Sequence, residues 1–223
     1  MIPRKDITHD QIKALISEGV TIGHKGGFPA VILSPDLTVY KFWVKRPRLG
    51  KLITSRSYAK RFIKACDQLN TEGFTAPRII SHLICQEPFG EIVHYHQLPG
   101  DSIRDLLESA PESIDLPKLA RIYLDLHEAG FYIRTLHFGN VLQEESGKMT
   151  LIDCSNVKKK GSTLSPIQRG KNLAIPLRYK ADLERYQNAG LPDFIETYLQ
   201  LGNFSEADKC KIRTISTQRL SQS

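Results

Sequence analysis

Residues 131–156 read FYIRTLHFGNVLQEESGKMTLIDCSN, and the reading of the whole chain turns on them. His137 is followed three residues on by Asn140, and Asp153 comes thirteen residues later inside the apolar run TLIDC. The runs VLQE and MTLIDC flank ESGK, which predicts a hairpin with a tight polar turn. A carboxylate set in an apolar strand needs a partner, because burying it unpaired is costly. Asn140 and Asp153 both offer hard oxygens, the kind Mg²⁺ takes. Two readings stay open at this point. One is a metal and nucleotide-phosphate site. The other is a polar hairpin in which Asn140 caps a turn and Asp153 caps the second strand.

Upstream, LPKLARIYLDLHEAGFY (116–132) puts Leu119, Ile122, Tyr123 and Leu126 on one face and predicts a helix stopped by Gly130. Before it, PRIISHLIC (77–85) and GEIVHYHQL (90–98) are strand-like. SYAKRFIKACDQLNTEG (57–73) carries a helical stripe ended by Gly73. AVILS and LTVYKFWV, joined by PD, predict another hairpin, with the Gly-rich GHKGG leading into it. HDQIKALISEGV (9–20) predicts a short helix ended by Gly19. Downstream, KKK (158–160) reads as a solvated loop. AIPLRYKADLERYQNAG and LPDFIETYLQLG read as two helical segments, and STQRLSQS as a frayed polar tail. Strands plus one helix come first and mostly helices follow, which predicts an α+β chain in two lobes.

Composition narrows the class. The chain has 223 residues with 40% apolar content, 12 prolines and 15 glycines, so a collagen-like or wholly disordered chain is excluded. No apolar run approaches the ~20 residues of a bilayer span. The N-terminus shows no signal-like apolar region, and the expectation is a cytoplasmic protein. The net charge of +7 favours anionic partners, and the segment 41–64 is rich in Lys and Arg and has no acid. That run is either a solvated face or a surface for an anionic ligand. No motif points to nucleic acid. Cys66, Cys85, Cys154 and Cys210 fit no zinc spacing and are read as reduced, with Cys66 and Cys154 in packing roles. His94 and His96 share a strand face but lack further metal ligands.

With these residues in view, the chain resembles a known group. YIRTLHFGNVL…MTLIDCSN looks like the catalytic loop and metal-binding strand of the protein-kinase-like superfamily. The resemblance is to its lipopolysaccharide core kinases (Kdo/WaaP-type, toluene-tolerance-like). LTVYKFWVKRPRLGKLITSRSYAKRFIKACDQLNTEGFTAP is similar to that group's third strand, basic segment and helix. VHYHQLPGDSIRDLL is similar to its connector and RGKNLAIPLRYKADLERY to its C-terminal segment, so about residues 20–200 are covered.

The resemblance implies a two-lobed fold, with residues 1–97 as a small β-rich lobe and 98–223 as a helical lobe. It also implies the cofactors ATP and Mg²⁺ between them. Lys41 matches the strand Lys on the nucleotide phosphates, and Gly23, Gly26 and Gly27 stand in for the phosphate-covering loop without completing a GxGxxG. Asn140 and Asp153 match the metal ligands. The superfamily's catalytic Asp position is Thr135, which cannot act as a carboxylate base, leaving Arg134 and His137 nearby. The helix acid that would pair with the strand Lys is missing from 57–70, where only Asp67 is acidic. The implied function is phosphorylation of a sugar hydroxyl on the lipopolysaccharide core or another anionic sugar, at the inner face of the cytoplasmic membrane. The alternative is a pseudokinase scaffold or regulator in envelope assembly that binds nucleotide without turnover. His137 is either a proton-transfer or phosphate-contact residue, or a structural tie.

Overall fold

The computed structural model describes residues 2–25, 28–44, 57–86 and 89–218. Two compact units are present: Met1–Thr71 with Ala76–Leu98, and Glu72–Thr75 with Pro99–Ser223.

The first unit is built on one sheet. Its strands are β1 (Arg4–Asp6), β2 (Val20–Lys25), β3 (Phe28–Leu33), β4 (Thr38–Val44), β5 (Ile79–Gln86) and β6 (Phe89–His96), and its helices are α1 (His9–Glu18) and α2 (Tyr58–Thr71). The spatial order is β1-β5-β6-β4-β3-β2, with β1 parallel to β5 and the other neighbours antiparallel. Alternation along the strands sends apolar side chains to both faces. One face packs Ile32, Phe42, Leu83, Cys85 and Ile92 around Ile12 of α1. The other meets α2, where Ala59, Phe62, Cys66 and Leu69 are buried and the Phe62 ring lies against Trp43 and Tyr95.

Local signals explain both ends of α1. Thr8 and Gln11 form a reciprocal capping box that satisfies two exposed N–H groups. At the other end only glycine fits at 19, because a Cβ there would sit 2.4 Å from Ile32 Cγ2.

The second unit is mainly helical. It holds β7 (Asp101–Ser102), α3 (Ile103–Ser109), α4 (Leu116–Glu128), β8 (Phe131–Ile133), β9 (Val141–Gln143), β10 (Met149–Leu151) and β11 (Val157–Lys159). Then follow α5 (Pro166–Leu177), α6 (Lys180–Asn188), α7 (Phe194–Leu201) and α8 (Glu206–Gln218). The strands form the small sheets β10-β9-β7 and β11-β8. Asp115 caps α4, which buries Leu119, Tyr123 and Leu126, and Tyr123 meets Phe194 of α7 at 5.0 Å between ring centroids. Gly130 turns the chain from α4 into β8. Its φ is +80°, and an added Cβ would meet Ser162 O at 2.5 Å. No helix among the described residues is long and apolar enough to cross a membrane.

Several local expectations change. Gly23 and His24 lie in β2 rather than in a loop. Gly23 takes φ 65° where the β2–β3 pairing passes from Ile22–Val31 to His24–Pro29. Gly26 and Gly27 lie outside the described residues, as does most of the basic segment, 45–56. Lys158 and Lys159 of the KKK run form β11 with Val157; backbone pairing to β8 overrides their polarity. The segment 174–190 is not one helix, since α5 ends at Leu177 and α6 starts at Lys180. The C-terminal stretch is helical to Gln218, held by Ile212 and Ser216, both buried. The helix over 116–132 stops at Glu128, and Phe131 and Tyr132 pair in β8. Cys66, Cys85 and Cys154 are buried, and Cys210 is exposed.

Candidate functional site

The loop between β8 and β9 folds back on the segment after β10. The hairpin β9–β10 pairs Leu151 with Val141, and Ile152 N–H then donates to Asn140 C=O at 3.1 Å. Asp153 therefore lies just past the strand end rather than within the strand, beside the Asn140 loop. Its Oδ1 accepts from Ser155 Oγ at 2.6 Å and Ser155 N–H at 3.2 Å, an Asx-type turn that orients the carboxylate.

Thr135 closes the arrangement. Its hydroxyl donates to Asp153 C=O at 2.6 Å, and its own C=O accepts from Asn140 Nδ2 at 2.7 Å. A carbonyl only accepts, so the amide must turn its NH₂ toward Thr135, which leaves Asn140 Oδ1 on the other side. Thr135 thus ties together the two segments that carry Asn140 and Asp153. Donor chemistry fits Mg²⁺: Asn140 Oδ1 and the Asp153 carboxylate are hard oxygens, with water and substrate phosphates left to complete six positions. Among the described residues no group of three or more His, Cys, Asp or Glu side chains is placed to hold a metal.

His137 props Asn140. Its Nε2 accepts from Asn140 Nδ2 at 3.1 Å, which puts the ring proton on Nδ1, a buried atom without a hydrogen-bond partner. The ring meets Tyr179 edge-on at 4.9 Å. Burial first, then the Arg104 guanidinium, push its pKa below the usual histidine value, against the pull of Asp153 and Asp182. A neutral ring with its lone pair engaged by Asn140 is poorly placed to take a proton. Arg134, by contrast, is exposed on the same loop.

Two supports were not legible in the sequence. Arg104 of α3 grips Asp182 of α6 through Nε and Nη2, both at 2.8 Å, and Asp182 is 2% exposed. An added Cβ at Gly139 would fall 2.8 Å from Arg104 Nη1, so glycine lets the loop pass this cation. Beneath β8 runs a buried chain of donors. Arg169 Nη1 donates to Tyr198 OH (2.6 Å), which meets His127 Nδ1 (2.9 Å); His127 Nε2 meets Asn172 Oδ1 (3.1 Å), and Asn172 Nδ2 donates to Ile133 C=O (2.7 Å). These partners are 29 to 71 residues apart, beyond the reach of any spacing rule. The chain ends on the residue before Arg134 and so anchors the start of the loop.

Lys41 belongs to the first unit. It sits on β4 opposite Val31 and Val93, half-buried, with Nζ 5.3 Å from the Phe62 ring centre and 5.7 Å from that of Trp43. Asp67, the acid of α2, lies on a different stripe of the helix, toward β1 and β5. His94 stacks on Tyr40 at 4.2 Å, and His96 is exposed.

No protein-family model and no curated protein sequence matches this chain. Solved structures do. The co-crystal structure of WbdD with a kinase inhibitor is 17% identical, with 86% of this chain and 43% of that one covered and a TM-score of 0.50. A structure described as the bifunctional kinase-methyltransferase WbdD is 17% identical over 86% of this chain and 47% of that one, with a TM-score of 0.45. The chain thus spans less than half the length of these WbdD structures. The likeness shows the fold, which is protein-kinase-like, with a β-rich unit and a mainly helical unit.

Proposed function

We propose that this chain is a kinase that transfers a phosphoryl group from ATP to a sugar hydroxyl of the lipopolysaccharide core. The observation that carries the reading is the Thr135–Asn140–Asp153 tie, which holds two hard-oxygen side chains in register on a kinase-like fold. The WbdD structures lend support through their names alone: that protein is a kinase-methyltransferase, and it has been crystallised with a kinase inhibitor.

In this reading Asn140 and Asp153 hold Mg²⁺, and Lys41 contacts the nucleotide phosphates. Gly23, with Gly26 and Gly27, covers them. Mg²⁺ held by Asn140 and Asp153 would supply positive charge to the transferring phosphoryl group. The chain's own contribution is positional. Ser155 and Thr135 orient Asp153, His137 and Thr135 orient Asn140, and the buried donor chain fixes the loop. No carboxylate stands where Thr135 does, and a missing general base lowers rates by ~10²–10⁴. Phosphoryl transfer tolerates that loss because it rests mainly on positioning and charge stabilisation. The net charge of +7 suits an anionic glycolipid at the inner membrane face.

A pseudokinase scaffold is the second reading, favoured by the Thr135 hydroxyl being spent on the Asp153 carbonyl. One experiment separates the two: ATP binding with and without Mg²⁺, followed by mass detection of phosphorylated core glycan. Asp153→Ala should remove the Mg²⁺-dependent part of ATP binding and lower turnover by roughly 10³-fold, on the scale of other charge-stabilising groups in phosphoryl transfer. Unchanged Mg²⁺-ATP affinity in a folded variant rejects the metal assignment. Bound ATP with no transfer to any intact core acceptor selects the scaffold.

A further inference from the structure

β1, α2 and β5 of the first unit line an open cavity of about 780 Å³, within the usual size of small-molecule sites. Lys41, Asn140 and Asp153 are not among its lining residues. Helical spacing brings Lys60, Ile63, Lys64 and Asp67 to one stripe of α2, all facing the cavity. Arg4 comes from β1, directly beside His82 of β5 in the parallel register. Three cations therefore face a single carboxylate, and Arg4, Lys60 and Lys64 form no ion pair with any described residue. Ile63 and Ile79 supply apolar wall.

His82 lines the cavity while only 5% exposed. Its Nε2 has no hydrogen-bond partner. The nearest anion, Glu91 Oε1 of β6, is 3.3 Å away without hydrogen-bonding geometry. Burial is the main cause that lowers its pKa. The charges of Arg4 and Lys60 lower it further, and Glu91 opposes them. A buried ring nitrogen without a hydrogen bond, three unpaired cations and an apolar wall together describe a cavity short of an anion.

We propose that this cavity binds a phosphate-bearing ligand, with Arg4, Lys60 and Lys64 on the phosphate and Ile63 and Ile79 against an apolar body. The occupant is also wired to α2. The Ser57 hydroxyl donates to Glu91 Oε1 at 2.7 Å, and Ser57 Oγ in turn accepts from Lys60 N–H at 3.0 Å in the first turn of that helix. The ligand's phosphate is a free phosphorylated small molecule or a lipid headgroup, and two probes distinguish them. Neither requires turnover, so the test stands apart from the phosphotransfer reading.

The soluble probe is phenyl phosphate. The membrane probe is phosphatidylcholine vesicles with and without phosphatidylglycerol. The full chain should bind phenyl phosphate with a shift of the His82 imidazole resonances. The exposed double substitution Lys60→Gln/Lys64→Gln should weaken binding about tenfold or more, the scale of losing charge-assisted contacts. Saturating adenosine and Lys41→Met should leave it unchanged. Vesicle capture that needs phosphatidylglycerol and both lysines, without phenyl phosphate binding, supports the proposal with a lipid as the source. Phenyl phosphate affinity indifferent to the double substitution, displacement by adenosine, or no binding of either probe overturns it.

Discussion

Two buried polar clusters, one in each unit, are built to opposite rules. The His127–Asn172–Tyr198–Arg169 cluster of the second unit is closed. Each donor has an acceptor, and the direction of every bond follows from Ile133 C=O and the Arg169 guanidinium at its ends. The His82–Glu91 cluster of the first unit is open, because His82 Nε2 and Glu91 Oε2 are buried without hydrogen-bond partners. A satisfied network rigidifies what it touches, whereas an unsatisfied one holds desolvation cost in reserve for a ligand to relieve. The closed cluster sits under the loop that carries Asn140. The open one lines the cavity behind α2.

The largest effect should come from breaking the closed cluster. Asn172→Leu keeps the volume but strands the buried His127 ring N–H and takes away the Asn172 contacts of Ile133 N–H and C=O, leaving that carbonyl only Leu136 N–H at 3.3 Å. Chemical denaturation should show a loss of roughly 3–5 kcal/mol, the cost of leaving several buried groups unpaired. A loss under about 1 kcal/mol would mean the chain of donors is not holding the loop.

A second test uses acid. Burial pushes the His127 pKa down to about 3, helped by Arg169 and opposed by the Asn172 bond. The folded value lies below that of a free histidine, so the unfolded chain binds the extra proton first. This contribution to stability is present above about pH 6.5 and is lost as pH falls toward 3, by about 1.4 kcal/mol per pH unit for this group. Stability curves of wild type and His127→Gln between pH 7 and 4 should converge as pH falls. Parallel curves would show that His127 takes up its proton without opening the cluster.

The contrast also marks what could be read from sequence. Amphipathic helices were legible wherever a periodic stripe met a stop residue, as at Gly19 for α1 and Gly130 for α4. The ESGK turn showed the β9–β10 hairpin because its signals are local. The two-lobed α+β class followed from their order, and the kinase-like fold from the resemblance of the motifs around Asn140 and Asp153. β8 and β11 were invisible, since three-residue strands carrying lysines have no periodic signature, and only their pairing makes them strands. Thr135, His137, Asn140 and Asp153 stood out by type and spacing. That Thr135 is a tie could not be seen, because its partner is a backbone carbonyl 18 residues away. Arg104 with Asp182, and Asn172 with His127, are side-chain pairs closed only by the fold.

The smallest effect should come from the open cluster, and it decides whether the comparison is real. Glu91→Gln keeps an oxygen to accept from Ser57 and replaces the oxygen that has no partner with an amide NH₂. In a closed network such a change strands a donor and costs several kcal/mol. Here it should alter stability by no more than about 1 kcal/mol, since no existing hydrogen bond is lost. The charge that lifts the His82 pKa against burial would be gone, while Arg4 and Lys60 remain. The imidazole should then titrate at lower pH than in the wild type, a shift that NMR can follow. A large stability loss would place His82 and Glu91 in a network as tight as that of His127. An unmoved His82 titration would mean that the 3.3 Å approach carries no interaction, and that the two histidines, buried alike, differ for some other reason.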